Sequence, residues 1–140
     1  MSHAMDVEAL TAFLARDFGQ VAEDFRVEAV TAEGLRLRLK VQERHLRPGG
    51  TVSGPAMFGL ADVAVYLAIL SRIGPVALAV TTGCAMDFMR KPAAGRDLYA
   101  EVRLLKLGRS LAVADALIFS EGVTEPVARA NMTYSIPPAR

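Results

Sequence analysis

The sequence predicts an α+β protein in which an antiparallel β-sheet wraps around one long, apolar α-helix. Three observations support this class. Residues 48–71 carry a single charged side chain, Asp62, which is typical of a helix enclosed by protein. Residues 35–42 alternate strictly between apolar and polar side chains, and four further strand-like segments follow residue 75 without another helix. At 140 residues the chain is expected to form a single domain, residues 1–140.

A short helix and two strands are predicted before the long helix. Residues 7–18 place apolar side chains three and four residues apart, with Asp6 available as the N-cap. Residues 25–32 have a weak strand pattern, and Gly34 marks a turn. In residues 35–42 the apolar face carries leucine and valine, and the opposite face is predicted to be exposed to solvent. That polar face consists of Arg36, Arg38, Lys40 and Gln42.

The long helix is predicted to begin at Ser53 or Gly54 and to end near residue 72. Pro55 suits its first turn, because the N–H that proline lacks would be unpaired there. Gly74-Pro75 then ends the helix. Its length approaches that of a membrane span, but a central carboxylate costs roughly 2.5–3.5 kcal/mol in a bilayer. A helix enclosed by soluble strands is the favoured interpretation.

Four strands are predicted after the helix, at residues 76–88, 98–107, 111–120 and 126–136, with turns at Gly108-Arg109 and Glu121-Gly122. Alternation divides the first of them into two faces. One face carries Leu78, Val80, Cys84, Met86 and Phe88. Thr81 is predicted to lie on the opposite face, with Ala77, Ala79, Gly83, Ala85 and Asp87.

Composition excludes several classes of function. The formal net charge is +1 and no basic tract is present, so neither nucleic acid nor a membrane is an expected partner. His3 and His45 are the only histidines and Cys84 is the only cysteine, which disfavours a metal site and an internal disulfide. The lone cysteine and a start without a secretory pattern favour the cytoplasm, and residues 1–5 are expected to be disordered or vector-derived. Apolar residues make up 52% of the chain, which favours burial against a partner subunit.

Asp62 needs an explanation, because an ionised carboxylate inside an apolar helix is costly unless it is paired. It could face water or bond a neighbouring backbone group. The alternative is a catalytic carboxylate, acting either as a general base for water or as a direct nucleophile. From the residues alone, both interpretations stay open.

The start of the same helix carries groups that would complement such a carboxylate. Backbone N–H groups around Gly54 point outward at the positive end of the helix dipole and could stabilise an oxyanion, although an ordinary helix start explains the same residues. Gly54 and Asp62 are eight residues apart, about 12 Å along a helix. One substrate carbonyl cannot contact both within one chain. If both act, they come from two subunits and the site requires a dimer.

Several motifs resemble one known family, in order and spacing, over roughly residues 47–134. In the family His-Gly-Gly precedes an apolar stretch that ends in Leu-Ala-Asp, and the corresponding run here is Ser53-Gly54-Pro55-Ala56-Met57-Phe58-Gly59-Leu60-Ala61-Asp62. Further matches are Val80-Thr81-Thr82, Asp87-Phe88-Met89-Arg90, Gly108-Arg109-Ser110-Leu111 and the closing run at residues 127–134. On these motifs the chain resembles the hotdog-fold acyl-CoA thioesterases of the PaaI-like, phenylacetate-pathway type.

The resemblance implies a hotdog fold and an enzyme, an acyl-CoA thioester hydrolase that releases the free acid and CoA. It implies that Asp62 is the catalytic carboxylate, that the Gly54 N–H polarises the thioester carbonyl and that Thr81 lies near the attacking water. It further implies a homodimer, commonly paired into a homotetramer, that acts on acyl-CoA. No metal and no cofactor other than the CoA of the substrate is expected.

The residues expected to bind substrate come from the resemblance and from position along the chain. Tyr66 follows Asp62 by one helical turn and projects from a similar side, although core packing explains it equally well. Ser53 stands at the position of the family's His. The remaining candidates are Met57, Phe58 and Phe88 for the acyl group, and Arg90, Lys91 and Arg109 for the CoA phosphates.

The chain departs from the family pattern at three positions. Ser53 replaces the His, Pro55 replaces the second Gly, and Arg47 stands where the family often has Asn. These departures leave open a non-catalytic protein that binds or senses acyl-CoA, or a purely structural oligomer. A hotdog dehydratase is disfavoured, because neither histidine lies on the central helix or on a predicted core strand. The acyl group, and the choice between base and nucleophile for Asp62, are not determined by the sequence.

Overall fold

The computed structural model describes residues 3–138. Its helices and strands are α1 (Val7–Asp17), β1 (Phe25–Val30), β2 (Gly34–Leu39), α2 (Gly54–Ile73), β3 (Val80–Phe88), β4 (Leu98–Leu107), β5 (Leu111–Ser120) and β6 (Ala128–Ser135), with short 3₁₀ helices at Ala22–Asp24 and Glu43–His45. The strands form one antiparallel sheet in the order β1-β2-β4-β5-β6-β3. Every strand of this sheet contacts α2. The predicted α+β class is confirmed, and the architecture is the hotdog fold that the resemblance implied.

The long helix α2 forms the centre of the core, and residues 63–71 are buried without interruption. Ser53 caps its start, because the Ser53 Oγ accepts a hydrogen bond from the Ala56 N–H at 3.2 Å. Gly74 ends it in a left-handed conformation with φ of 93°. The helix is long and apolar enough to cross a membrane by length and composition alone, but 67% of that apolar window is buried inside the fold.

The N-terminal segment packs against the end of α2. Asp6 caps α1 as predicted, since its Oδ1 accepts a hydrogen bond from the Ala9 N–H at 2.8 Å. The N–H groups of Ala4 and Met5 donate to the Ser71 carbonyl at 2.8 and 3.2 Å, and Met5 is buried. The expected disordered start therefore does not include Ala4 and Met5, and Met1 and Ser2 lie outside the described residues.

Gly34 is the first residue of β2, and the turn predicted at Gly34 is formed by residues 31–33. A Cβ at Gly34 would overlap the backbone carbonyl of Val102 on the neighbouring strand β4. Only glycine allows the two strands to approach this closely, so the residue serves sheet pairing.

The polar face of β2 is not uniformly exposed, contrary to the sequence prediction. Only 9% of Arg38 is exposed. Its guanidinium donates to Glu28 at 2.6 Å and lies 2.8 Å from a Glu121 carboxylate oxygen and 3.3 Å from one of Asp97. Three carboxylates from separate segments therefore enclose a side chain that strand alternation assigned to solvent.

The strand β3 lies at one edge of the sheet and begins at Val80, four residues later than predicted. Its pairing with β6 shifts between Thr81 and Gly83, so Thr82 forms a β-bulge. The bulge moves Thr81 to the face that the sequence assigned to Cys84 and Phe88. The predicted faces of this strand are therefore wrong for the residues that precede the bulge.

Candidate active site

The carboxylate of Asp62 is held by two hydroxyl groups from the sheet. Its Oδ1 accepts a hydrogen bond from the Thr81 Oγ1 at 2.5 Å and another from the Tyr134 hydroxyl at 2.8 Å. The Tyr134 hydroxyl also lies 2.9 Å from the backbone carbonyl oxygen of Asp62. Asp62 thus faces the sheet, and hydroxyl donors satisfy one of its oxygens.

The two donors are placed together by strand pairing. Thr81 on β3 and Tyr134 on β6 are direct cross-strand partners. Residues 84 and 86 pair with Met132 and Ala130, which are buried on the helix side of the sheet, so strict alternation would point Thr81 away from α2. The bulge at Thr82 reverses this phase and brings the Thr81 hydroxyl to the carboxylate.

The second oxygen of Asp62, Oδ2, has no hydrogen-bond or ion-pair partner within residues 3–138. Asp62 is partly exposed, and no enclosed side-chain oxygen in that part of the chain lacks a partner, so Oδ2 is open to solvent. It is therefore the oxygen available to accept a proton or to attack a carbon atom. Asp62 lines a cavity of about 370 Å³, whose walls are formed by Asp17, Phe18, Gln20, Val63, Tyr66, Ala77, Ala79, Val80, Thr81 and Tyr134.

The cavity is lined by aromatic side chains, and its two charged groups, Asp17 and Asp62, are both acidic. Tyr66 stacks against Tyr134 with ring centroids 6.2 Å apart and meets Phe18 edge-on at 6.1 Å. Burial, followed by the charge of Asp62, raises the pKa of Tyr134 well above its usual range, so this phenol stays protonated and donates. Burial and the Asp62 charge also raise the pKa of the Cys84 thiol.

Tyr134 was not identified as a site residue from the sequence. It lies 72 positions from Asp62 in the chain, and only the sheet brings the two together. A signal was nevertheless present, since strand alternation puts Tyr134 on one face of β6 with Ala128, Ala130 and Met132, all of which are buried. A buried phenol requires a hydrogen-bond partner, and Asp62 was the predicted carboxylate inside the core.

The start of α2 forms a separate part of the candidate site. No acceptor for the Gly54 N–H is found within the described residues 3–138, so this donor is available. The Phe88 ring lies beside Gly54, 3.6 Å from the position that a Cβ would occupy there. Phe58 is 39% exposed and Phe88 is 53% exposed, whereas Met57 is buried. The structure thus groups Gly54 with Phe88, and Asp62 with Thr81, Tyr66 and Tyr134, but it does not join the two groups in one chain.

The predicted phosphate-binding cations differ in their surroundings. The Arg90 guanidinium donates to the Pro126 carbonyl at 2.8 Å and lies 3.9 Å from a Glu125 oxygen. Lys91 and Arg109 are exposed, and neither forms an ion pair with any residue in the range 3–138. Arg109 is in the β4–β5 turn, and Ser110 beside it accepts a hydrogen bond from the Ile136 N–H, close to the end of β6 that carries Tyr134.

A larger depression of about 740 Å³ lies on the outer face of the sheet and contains none of the predicted site residues. Most of its charges are paired, with Arg129 at 2.8 Å from Asp87 and Arg36 at 3.2 Å from Glu101, and the Asp115 carboxylate accepts a hydrogen bond from the Asn131 amide at 2.9 Å. Across residues 3–138, no group of three or more His, Cys, Asp or Glu side chains is arranged to hold a metal ion.

Comparison with known proteins gives consistent similarities. A protein from Silicibacter sp. TM1040, whose crystal structure is described as that of a "putative thioesterase", is 57% identical with a TM-score of 0.92, over 99% of this chain and 96% of that one. A mutant of the phenylacetic acid degradation protein PaaI from Thermus thermophilus is 28% identical with a TM-score of 0.72, over 86% of this chain and all of that one. A Pseudomonas aeruginosa protein named as a "putative esterase" is 34% identical over 86 residues.

The match to the Pseudomonas protein covers 61% of this chain and 64% of that relative, so the chain matches less than two thirds of the relative's length. The family model of the Thioesterase superfamily matches residues 49–127, which is more than half of the chain and includes both Gly54 and Asp62. The hotdog fold, this match and the similarity to PaaI agree with the resemblance drawn from the motifs. The chain belongs to the Thioesterase superfamily.

Proposed function

We propose that the protein hydrolyses acyl-CoA thioesters to the free acid and CoA, with Asp62 as the carboxylate that drives the reaction. Membership of the Thioesterase superfamily supports hydrolysis of acyl thioesters in general. The geometry of Asp62 is the observation that supports the more specific proposal, acyl-CoA hydrolysis driven by this carboxylate. Two hydroxyls hold its Oδ1, while Oδ2 stays free in a cavity lined by aromatic side chains. A partly buried carboxylate arranged in this way is suited to general base catalysis or to nucleophilic attack.

In the general-base route, Asp62 takes a proton from water as the water oxygen bonds to the thioester carbonyl carbon. The Gly54 N–H donates a hydrogen bond to the resulting oxyanion. Collapse of the tetrahedral intermediate breaks the C–S bond, and the departing CoA sulfur receives the proton that Asp62 accepted. The Thr81 hydroxyl donates a hydrogen bond to Asp62, and its oxygen lone pairs can accept a hydrogen bond from the attacking water.

In the nucleophilic route, an Asp62 oxygen bonds to the carbonyl carbon and CoA leaves as the C–S bond breaks. Water then hydrolyses the mixed anhydride and regenerates the carboxylate. A single turnover in ¹⁸O-labelled water tests the nucleophilic route, because water that attacks the aspartyl carbon of the anhydride leaves label in Asp62. Label in the Asp62 carboxylate excludes the simple general-base route.

The proposed site requires two copies of the chain. Gly54 and Asp62 lie on the same helix, separated by about 12 Å at a rise of roughly 1.5 Å per residue, so one carbonyl group cannot contact both. In a two-fold symmetric pair, Gly54 of one copy can meet Asp62 of the other, and two equivalent sites result. The minimum assembly is therefore a homodimer; the homotetramer is proposed on the family resemblance alone.

The edge strand β3 supplies a route to that dimer. Thr81, which contacts Asp62, lies near one end of β3, and Phe88, which lies against Gly54, ends it. Antiparallel pairing of β3 with its copy would bring the Thr81 end of one chain beside the Phe88 end of the other. Exposed apolar side chains along this edge support burial against a partner: Leu78, Val80, Phe88 and Met89.

The same pairing suggests how CoA is held. Arg109 lies near the Thr81 end of the strand, and Lys91 follows its Phe88 end. A dimer would bring the Arg109 of one chain towards the Lys91 of the other, giving two exposed cations for the CoA phosphates. Arg90 is a weaker candidate, because its guanidinium is already bonded to the Pro126 carbonyl. We propose the cytoplasm as the location, on the evidence of the single free cysteine.

A second candidate function is binding of acyl-CoA without turnover. Ser53, which replaces the family's His, uses its Oγ to cap α2 through the Ala56 N–H. The hydroxyl oxygen is therefore engaged in holding the helix, and only the O–H is left as a donor to substrate. This observation favours weakened or lost turnover with a retained pocket.

Release of free thiol from a panel of aryl-CoA and alkanoyl-CoA esters tests the proposal, comparing wild type with Asp62→Asn. Hydrolysis by wild type and its loss in the variant is the expected result. The far-UV circular dichroism spectrum and the oligomeric state of the variant provide the control for folding. If wild type binds these esters without releasing thiol, the enzyme proposal fails and the binding protein replaces it.

A further inference from the structure

We infer that Tyr134 is a positioning residue that fixes the orientation of the Asp62 carboxylate, so that Oδ2 rather than Oδ1 is presented to the substrate. This inference rests on the proposed function, in which Asp62 drives hydrolysis. The observation behind it is that both sheet hydroxyls, Thr81 at 2.5 Å and Tyr134 at 2.8 Å, donate to the same oxygen.

A single hydrogen bond would leave the carboxylate free to rotate. Thr81 is partly exposed and lies next to the bulge at Thr82, where strand pairing is disrupted, so it is a weak anchor by itself. Tyr134 is only 3% exposed and lies on β6, which is paired on both sides, by β3 and β5. Its hydroxyl is 2.8 Å from Oδ1 and 2.9 Å from the Asp62 backbone carbonyl oxygen, so the phenol contacts both the side chain and the backbone of the same residue.

The surroundings make Tyr134 a donor. Of the titratable groups around Asp62, Tyr66 on α2 donates its own hydroxyl to the Ala77 carbonyl at 2.9 Å. Asp17 on α1 lines the same cavity, and the Cys84 thiol on β3 is close enough for the Asp62 charge to raise its pKa. None of these three groups donates a hydrogen bond to Asp62. The raised pKa of Tyr134 itself agrees with a phenol that stays protonated throughout the working range of pH.

A positioning role differs from a purely structural one in its effect on the carboxylate. Hydrogen bonds to the ionised form of a carboxylate lower its pKa, and removal of one donor raises it. A tyrosine that only anchors α2 to β6 would change the melting temperature and leave the protonation and orientation of Asp62 unchanged. Two measurements therefore discriminate between the two roles: the pKa of Asp62, and whether a substitution at Tyr134 lowers kcat without changing KM.

The test replaces Tyr134 with Phe, which retains the ring and removes the hydroxyl. Tyr99→Phe is the matched control, because Tyr99 lies on the outer face of the sheet, where it stacks on Phe119 at 5.2 Å. For Tyr134→Phe we expect kcat to fall about tenfold with KM unchanged. The acidic limb of the kcat/KM profile should move up by about one pH unit, and the control should change neither quantity. Unchanged kcat and pH profile in a folded Tyr134→Phe variant overturn the inference.

A second measurement does not depend on turnover. The carboxyl carbon of Asp62 can be titrated by NMR in ¹³C-aspartate-labelled protein and assigned by its absence from Asp62→Asn. We expect Tyr134→Phe to raise the Asp62 pKa. Replacement of Tyr134 by 3-fluorotyrosine keeps the hydroxyl but makes it a stronger donor, so it should lower that pKa even where the Phe variant does not fold.

These measurements separate the failure of the inference from that of the proposed function. If wild type releases no thiol but the Asp62 pKa follows the Tyr134 donor, the function fails and the control of Asp62 by Tyr134 stands. If thiol is released and neither Tyr134 substitution changes the Asp62 pKa, the function stands and the inference fails.

Discussion

Thr81 and Tyr134 are cross-strand partners, and both direct their hydroxyls at one oxygen of Asp62. Thr81→Val keeps the branched shape and removes the hydroxyl, so it should lower kcat by about tenfold or more, as is typical for loss of a group that acts on the attacking water. Thr81→Ser, which retains the hydroxyl, is the matched control and should keep most of the activity. Steady-state thiol release measures both variants. Equal rates for Thr81→Val and wild type would show that the hydroxyl serves packing only.

The composite site predicts complementation between two inactive variants. Asp62→Asn removes the carboxylate, and Gly54→Pro removes the N–H donor at a helix position where proline is tolerated. Each should lower kcat by about 100-fold or more. Refolded together, half of the dimers are mixed and one of their two sites is intact, so about a quarter of the wild-type activity should return.

Mass spectrometry under native conditions supplies the control for complementation, because it counts the mixed dimers. Mixed dimers without recovered activity would show that Gly54 of one copy and Asp62 of the other do not form one site. A single variant that keeps its activity would remove that residue from the chemistry, and either result contradicts the two-copy site.

The ion-pair cluster around Arg38 predicts loss of stability in acid. Burial alone would raise the pKa of Glu28, but hydrogen bonds from Arg38, Arg36 and Arg26 outweigh it and lower the pKa to about 2. Because the folded pKa lies below the unfolded value, this contribution is complete above about pH 4.5 and is lost as the pH falls towards 2. Integrated over that shift, it amounts to at most about 3 kcal/mol.

Urea unfolding of wild type and Glu28→Gln, at pH 7 and at pH 3, measures that contribution. The variant should be less stable at pH 7, and the difference should shrink at pH 3. Protein concentration is held constant, since dimer dissociation adds to the measured free energy of unfolding. A difference that is the same at both pH values would show that the Glu28 charge does not stabilise the fold.

Gly34 is predicted to tolerate no side chain. A Cβ there would overlap the Val102 carbonyl, so Gly34→Ala must separate β2 from β4 or distort the pairing. We expect a loss of about 2 kcal/mol or more in the free energy of unfolding, in the range of overpacked core substitutions. Gly19→Ala is the control, because its Cβ would lie at an ordinary contact distance of 3.4 Å from the Ala15 carbonyl. Thermal melts of the two variants test the difference, and equal melting temperatures contradict it.

Much of the fold follows from local patterns. The segment around Asp62 predicted α2 because it has only one charge, and Ser53, Pro55 and Gly74 predicted its ends to within a residue or two. The alternation of Leu35, Leu37 and Leu39 predicted the buried face of β2. These signals are local because capping, helix termination and strand alternation depend on residues within a few positions of one another.

The contacts that build the candidate site are not local. Asp62 stands out in the sequence, because an isolated carboxylate in an apolar helix has few explanations, and Gly54 is identified as the start of the same helix. The orientation of Thr81 towards Asp62 depends on packing, because a one-residue bulge at Thr82 reverses the strand's phase and alternation cannot predict it. The contact between Tyr134 and Asp62 also depends on packing, because β6 reaches α2 through sheet pairing. Periodicity reports which side of an element is buried, whereas the partner of a buried polar group depends on how distant segments pack.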